Sequence, residues 1–145
     1  MFRHAVPETV NALVAARRAA CPGLHKVGTD MAVPDAALVE MFAVYRKGLA
    51  DVDVPAVVFG HLGNNHVHVN LLPRDLDELA RAKSLYAYWA RAAVRLGGAV
   101  AAEHGIGRLK KDFLAIQFPP ETLAAFRRLR RLFDPQGMLN PGVLV

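Results

Sequence analysis

Three of the six histidines fall in one short stretch, Gly60-His61-Leu62-Gly63-Asn64-Asn65-His66-Val67-His68-Val69-Asn70. The glycine and asparagines in its middle read as a tight turn between two strands. Side chains alternate along a strand, so His66, His68 and Asn70 share one face while Val67, Val69 and Leu71 share the other. The apolar run Ala56-Val57-Val58-Phe59 predicts a buried first strand, and a hairpin between the two brings His61 back towards His68. Imidazoles converging from neighbouring strands suit a borderline divalent metal such as zinc. Two imidazoles alone do not complete such a site, and an i, i+2 pair is also what the polar face of a half-exposed sheet looks like.

A carboxylate is the usual third donor, and the chain offers one in Ala101-Ala102-Glu103-His104-Gly105-Ile106-Gly107-Arg108. Gly105 and Gly107 permit positive φ and a close backbone approach. Taken alone, Glu103 reads as a helix cap and His104 as a loop residue. Both histidine segments must be positioned by the elements around them. Pro7 marks a first-turn position of a helix through Val10, Leu13 and Val14 that ends near Cys21-Pro22-Gly23. His25 to Ala32 reads as a strand, and Pro34 opens a second helix with Leu38, Met41, Phe42, Tyr45 and Leu49 as its apolar stripe. After the hairpin, Pro73 ends the second strand. Asp75 with Glu78 caps a long third helix whose buried positions are Leu79, Tyr86, Trp89, Ala93 and Leu96. A short helix over 108–117 and a last one from Pro119-Pro120 complete the chain, with Asp134-Pro135-Gln136-Gly137 as the stop signal. Helices against a mostly antiparallel sheet make an α+β fold.

The length of 145 residues fits one domain with a real core, and 53% hydrophobic content is rich enough for one face to meet a neighbour. The net charge is +5. The basic cluster Arg127-Arg128-Leu129-Arg130-Arg131 is interleaved at helical spacing with Leu123, Phe126, Leu132 and Phe133, so the arginines form the solvated side of an amphipathic helix, not a nucleic-acid platform. Positive charge also suits small carboxylates. No apolar run reaches membrane-spanning length, no signal peptide is visible, and a single cysteine, Cys21, excludes an intrachain disulfide. A cytoplasmic location without membrane span or nucleic acid is the expectation.

The histidine stretch, Glu103-His104-Gly105-Ile106-Gly107, and Phe133-Asp134-Pro135-Gln136-Gly137-Met138-Leu139-Asn140-Pro141-Gly142 occur in an order that resembles the C-terminal domain of FAD-linked oxidases. That family includes D-lactate dehydrogenase, glycolate oxidase and D-2-hydroxyglutarate dehydrogenase. The resemblance runs from about Arg3 to the end. It implies a ferredoxin-like antiparallel sheet elaborated by helices, with residues 1–145 forming the substrate or cap domain and the N-terminal FAD-binding domain absent. It implies His61, His68 and Glu103 as metal ligands, His104 as catalytic base, and Asn70, Arg3 and Lys26 as substrate contacts. His66 stands where an asparagine is common, and there it can compete as a ligand or touch flavin or substrate.

The implied function is the substrate and metal part of a flavin-dependent 2-hydroxy acid dehydrogenase or oxidase. FAD is held mainly by a missing domain or a partner subunit, and a divalent metal, zinc foremost, is the second cofactor. On this reading the chain by itself neither holds flavin tightly nor turns over substrate. The alternatives are a stand-alone metal-dependent hydrolase and a non-catalytic subunit that docks to a separate flavoprotein.

Overall fold

The computed structural model describes residues 2–144, with side chains from residue 8 to residue 144. Helix α1 spans Phe2–Ala20, α2 Leu38–Val52, α3 Leu76–Arg95, α4 Leu114–Gln117 and α5 Pro120–Phe133. The strands are β1 (Val27–Gly28), β2 (Ala56–His61) and β3 (His66–Leu71), in the order β1-β3-β2 with both pairings antiparallel. The α+β expectation is met. Helix α1 begins before Pro7, so that proline lies inside the helix and does not open it.

Two strand expectations need correction. The segment 25–32 forms only a two-residue ladder, followed by an isolated bridge from Ala32 to both His66 and Ala99. The apolar run of β2 lies at an edge of the sheet, so Val58 is 47% exposed. The central strand is β3. Its Val69 and Leu71 face a core made with Val27, Met41, Tyr45 and Trp89, while its histidine face looks the other way.

The Gly-Asn-Asn turn is a single 3-10 turn, Leu62–Asn64, closed by Asn65 in the left-handed region at φ 52°. Four residues in this turn pair His61 with His66 and Phe59 with His68. His61 therefore faces His66 and not His68. Gly60 lets the strands meet, since a Cβ there would stand 2.6 Å from the His66 carbonyl oxygen. Gly98 does the same for the Glu103 segment. A Cβ at 98 would stand 2.2 Å from the Ala32 carbonyl oxygen, so only glycine allows the Ala32–Ala99 bridge that leads the chain to Glu103.

Helix α3 is capped as expected, with the Asp75 carboxylate accepting from the Glu78 N–H at 2.7 Å. The Glu78 carboxylate turns to Arg74, accepting from its backbone N–H at 2.8 Å and from Nε at 2.6 Å. The Arg74 hydrogen bond holds the Glu78 carboxyl below the usual glutamate range. A depressed carboxylate stabilises the fold above its unfolded pKa of about 4.3 and loses that contribution as pH falls through the folded value. Glu78→Gln should therefore make the loss of stability between about pH 6 and pH 3 shallower than in the parent chain. Urea melts across that range check it, and an unchanged slope refutes it.

Arg127, Arg128 and Arg131 form the expected solvated side of α5, but Arg130 is half-buried and donates to the Val143 and Leu139 carbonyls at 2.9 Å, and beyond the buried Leu123 the apolar side is largely uncovered. Leu132 and Phe133 are 77% and 78% exposed. Phe126, Leu129, Phe133, Leu139 and Leu144, with Phe118, line an open groove of about 670 Å³. None of the described histidine side chains lines it.

Candidate metal and active site

The Glu103 carboxylate is ringed by imidazoles. Its Oε1 is 3.0 Å from His68 Nε2 and 3.0 Å from His104 Nε2, and its Oε2 is 3.7 Å from His66 Nδ1 and 4.0 Å from His61 Nε2. The hairpin supplies three of the rings and the loop after Gly98 supplies the fourth. The ring centroids of His66 and His68 are 4.3 Å apart and those of His68 and His104 are 5.3 Å apart. Burial divides the four. His66 is 4% exposed and His68 is largely covered, while the side chains of His61 and His104 are each 62% exposed.

Asp30 is the hub beneath this ring, and sequence reasoning missed it. Its Oδ1 accepts from the Glu103 N–H at 3.2 Å and lies 3.2 Å from His66 Nε2. Its Oδ2 accepts from the His104 N–H at 3.1 Å and from Lys110 Nζ at 2.5 Å. Burial works against the Asp30 charge, but Lys110 and the two N–H donors outweigh it and hold the carboxyl below its ordinary range. The available signal was a Thr29-Asp30 pair set between the apolar residues Val27 and Met31-Ala32-Val33. A buried polar pair of that kind needs partners. Thr29 finds its own, with Oγ1 accepting from the Val69 N–H at 2.9 Å and donating to the Val67 carbonyl at 3.3 Å.

The tautomers carry chemical information. His68 Nδ1 is 2.8 Å from the Thr29 carbonyl oxygen, an acceptor only, so Nδ1 holds the proton. In the neutral ring Nε2 is then a bare lone pair directed at a carboxylate oxygen. Lone pair against lone pair at 3.0 Å requires something positive shared between them, either a second proton or a cation. Burial pushes the His66 pKa down, with the neighbouring His68 adding to the effect. Burial opposes the Glu103 charge, but the His68 contact and the surrounding imidazoles more than compensate, so its carboxyl sits below the usual range. A neutral imidazole and an ionised carboxylate are the ligand forms of these groups. One donor atom each from Asp30, His66, His68 and Glu103 lie within 4.8 Å of one another.

The family model for FAD linked oxidases, C-terminal domain, matches residues 3–144. The chain belongs to that family. It is 31% identical over 142 residues to glycolate oxidase subunit GlcD of Bacillus subtilis (strain 168), covering 93% of this chain and 30% of the relative. It is 37% identical over 113 residues to the mitochondrial D-2-hydroxyglutarate dehydrogenase of Bos taurus, covering 77% of this chain and 20% of the relative. With the D-lactate dehydrogenase of Anaerostipes hadrus it shares 32% identity over 117 residues, 78% of this chain and 24% of the relative. The chain thus spans less than a third of the length of these relatives.

The residues expected to contact substrate are not all gathered at this site. Asn70 lies on the histidine face, buried, with its amide Nδ2 lacking a hydrogen-bond partner. Lys26 precedes the β1 residues that pair with Leu71 and Asn70, about 13 Å along the sheet from the level of His68 at strand rise. Its ammonium donates to Asn11 Oδ1 on α1 at 3.1 Å. The side chain of Arg3 lies outside the described residues. No helix among the described residues is long and apolar enough to cross a membrane.

Proposed function

We propose that this chain is the substrate and metal domain of a flavin-dependent enzyme that oxidises a small 2-hydroxy acid, of the D-lactate or glycolate type. The observation that carries the reading is Glu103 ringed by imidazoles from a hairpin 35 residues away, in a chain of the FAD-linked oxidase family. When bound, a divalent metal polarises the substrate's hydroxyl and the flavin accepts the hydride.

The chain's own residues do the rest. His68 and Glu103, with a second hairpin imidazole that the family resemblance takes from His61, hold the metal. His104 Nε2 stands at the exposed rim beside Glu103, where it accepts the hydroxyl proton. Asn70 Nδ2 is a spare donor on the same face for a substrate oxygen. The resemblance also gives a substrate carboxylate to Lys26 and Arg3, but the Lys26 ammonium is held by Asn11 Oδ1 away from the histidines and takes no part. The uncovered face of α5 supports a flavin-binding domain or subunit as its neighbour, since a contiguous apolar surface of this kind marks an interaction site.

The test uses the flavin-containing assembly that includes this chain. D-lactate, glycolate and D-2-hydroxyglutarate are mixed with it anaerobically while flavin absorbance is followed. At least one should bleach the flavin, chelation should abolish the bleaching, and added zinc or manganese should restore it. A full rate in the metal-free assembly, or bleaching by none of the three acids, overturns the proposal.

A further inference from the structure

We infer that Lys110 is the positioning residue for His104, acting through the buried Asp30 carboxylate. The inference rests on the reading of His104 as the base and adds the residue that fixes where the base stands. The loop hangs from Asp30 by backbone donors. The Ala102 N–H donates to the Asp30 carbonyl at 2.7 Å, the Glu103 N–H to Oδ1 at 3.2 Å and the His104 N–H to Oδ2 at 3.1 Å. The two carboxylate oxygens thus divide the loop. Oδ1 holds the backbone of Glu103, with His66 Nε2 against the same oxygen at 3.2 Å. Oδ2 holds the backbone of His104, and Lys110 Nζ joins that oxygen at 2.5 Å from a side chain 14% exposed. The lysine therefore acts on the half of the carboxylate that holds the base.

Lys110 reaches Asp30 from a segment with its own anchor. Gly105 and Gly107, at φ 64° and 56°, turn the chain back on itself. Ile106 packs against the core, and its carbonyl accepts from the Lys110 N–H at 3.2 Å. The His104 ring has no comparable anchorage, since its side chain is 62% exposed. Its place follows chiefly from its backbone. Rotation of the Asp30 carboxylate about Cβ–Cγ would carry Oδ2 off the line of the His104 N–H, and a hydrogen bond weakens steeply off line. The charge-assisted bond from Lys110 opposes that rotation. Without the lysine, a carboxylate only 3% exposed is left with an uncompensated charge and turns towards other donors. A catalytic group misplaced by about 1 Å costs on the order of 10²-fold.

The experiment measures anaerobic flavin reduction in the flavin-containing assembly, using whichever of the three hydroxy acids bleaches it fastest. Lys110→Met should slow reduction by roughly ten- to a hundredfold, with zinc content unchanged and the half-saturating acid concentration within about threefold of the parent. In the His104→Ala background the same change should cost less than about threefold, because a residue that acts through the base then has nothing to position. A lysine that only braces the fold would slow both backgrounds equally. Lys111→Met removes the same charge from the exposed neighbour and should stay within about twofold. Should the methionine variant fail to assemble with its flavin, Lys110→Gln, which keeps an N–H donor near Oδ2, is read by the same cycle. A rate within about threefold of the parent, an equal loss in both backgrounds, or loss of zinc overturns this inference with His104 still the base. His104→Ala at the parent rate overturns the base reading, and this inference with it.

Discussion

Replacing His104 with alanine should slow flavin reduction in the assembled enzyme by about 10²–10⁴-fold, with metal content unchanged. That is about 2.7–5.5 kcal/mol of barrier, and it is expected because the side chain has little else to do. It is mostly exposed, and its polar contact, Nε2 to Glu103 Oε1, lies at the rim. The loop itself is held by backbone groups. The N–H groups of Glu103 and His104 both donate to Asp30, and the Ala102 N–H donates to the Asp30 carbonyl at 2.7 Å. Truncating the ring leaves all three bonds in place. A base must come within hydrogen-bond reach of the proton it takes, and His104 is the solvent-facing imidazole on the Glu103 loop. The loss should appear in kcat and kcat/KM together, as for an interaction made only in the transition state. Zinc stoichiometry should stay that of the parent. Stopped-flow reduction with the preferred hydroxy acid measures it. A variant that reduces its flavin within about threefold of the parent takes His104 out of the base role.

Much of this was legible in the residues. The strand–turn–strand reading of 56–71 holds because alternation and the Gly-Asn-Asn turn are local properties. The span of α3 holds because its Asp75–Glu78 cap and apolar stripe are local too, whereas α1 starts before Pro7, α2 starts at Leu38 after a 3-10 turn, and the helix expected over 108–117 is only Leu114–Gln117 after a 3-10 turn. What failed was relational. Alternation says that His66 and His68 share a face, but not which residue of β2 lies opposite, and the turn's length puts His61 against His66. An apolar run does not say whether its strand is central, and β2 is an edge. Amphipathic spacing in α5 identifies two sides of the helix without saying what covers the apolar one. Asp30 was the largest gap. Its role depends on the Glu103 loop crossing over Ala32, far away in sequence, a contact that local pattern cannot encode.

Trp89→Ala should lower the unfolding free energy by about 3–5 kcal/mol, the largest stability effect expected from a single truncation in this chain. Trp89 is 0% exposed and joins the two main helices. Its ring meets Tyr45 of α2 edge-on, with centroids 5.1 Å apart and planes at 89°, and its Nε1–H donates to the Val44 carbonyl at 3.3 Å. Gly48 lets α2 close onto it, since a Cβ there would stand 2.7 Å from Nε1. The cavity left by truncation is walled by that glycine and by side chains already packed against the sheet, so little can collapse into it. With roughly 5–15 kcal/mol typical for a whole domain, the loss is a large share, and the melting point should fall by on the order of 10–20 °C. Trp89 is the only tryptophan, so the change must be followed by circular dichroism in urea, not by fluorescence. Leu132→Ala on the exposed face of α5 is the matched control and should stay within about 0.5 kcal/mol. A Trp89→Ala loss below about 1 kcal/mol would mean that the α2–α3 contact is not what holds the valine face of β3. The histidine face would then lack the rigid backing on which its donor geometry depends.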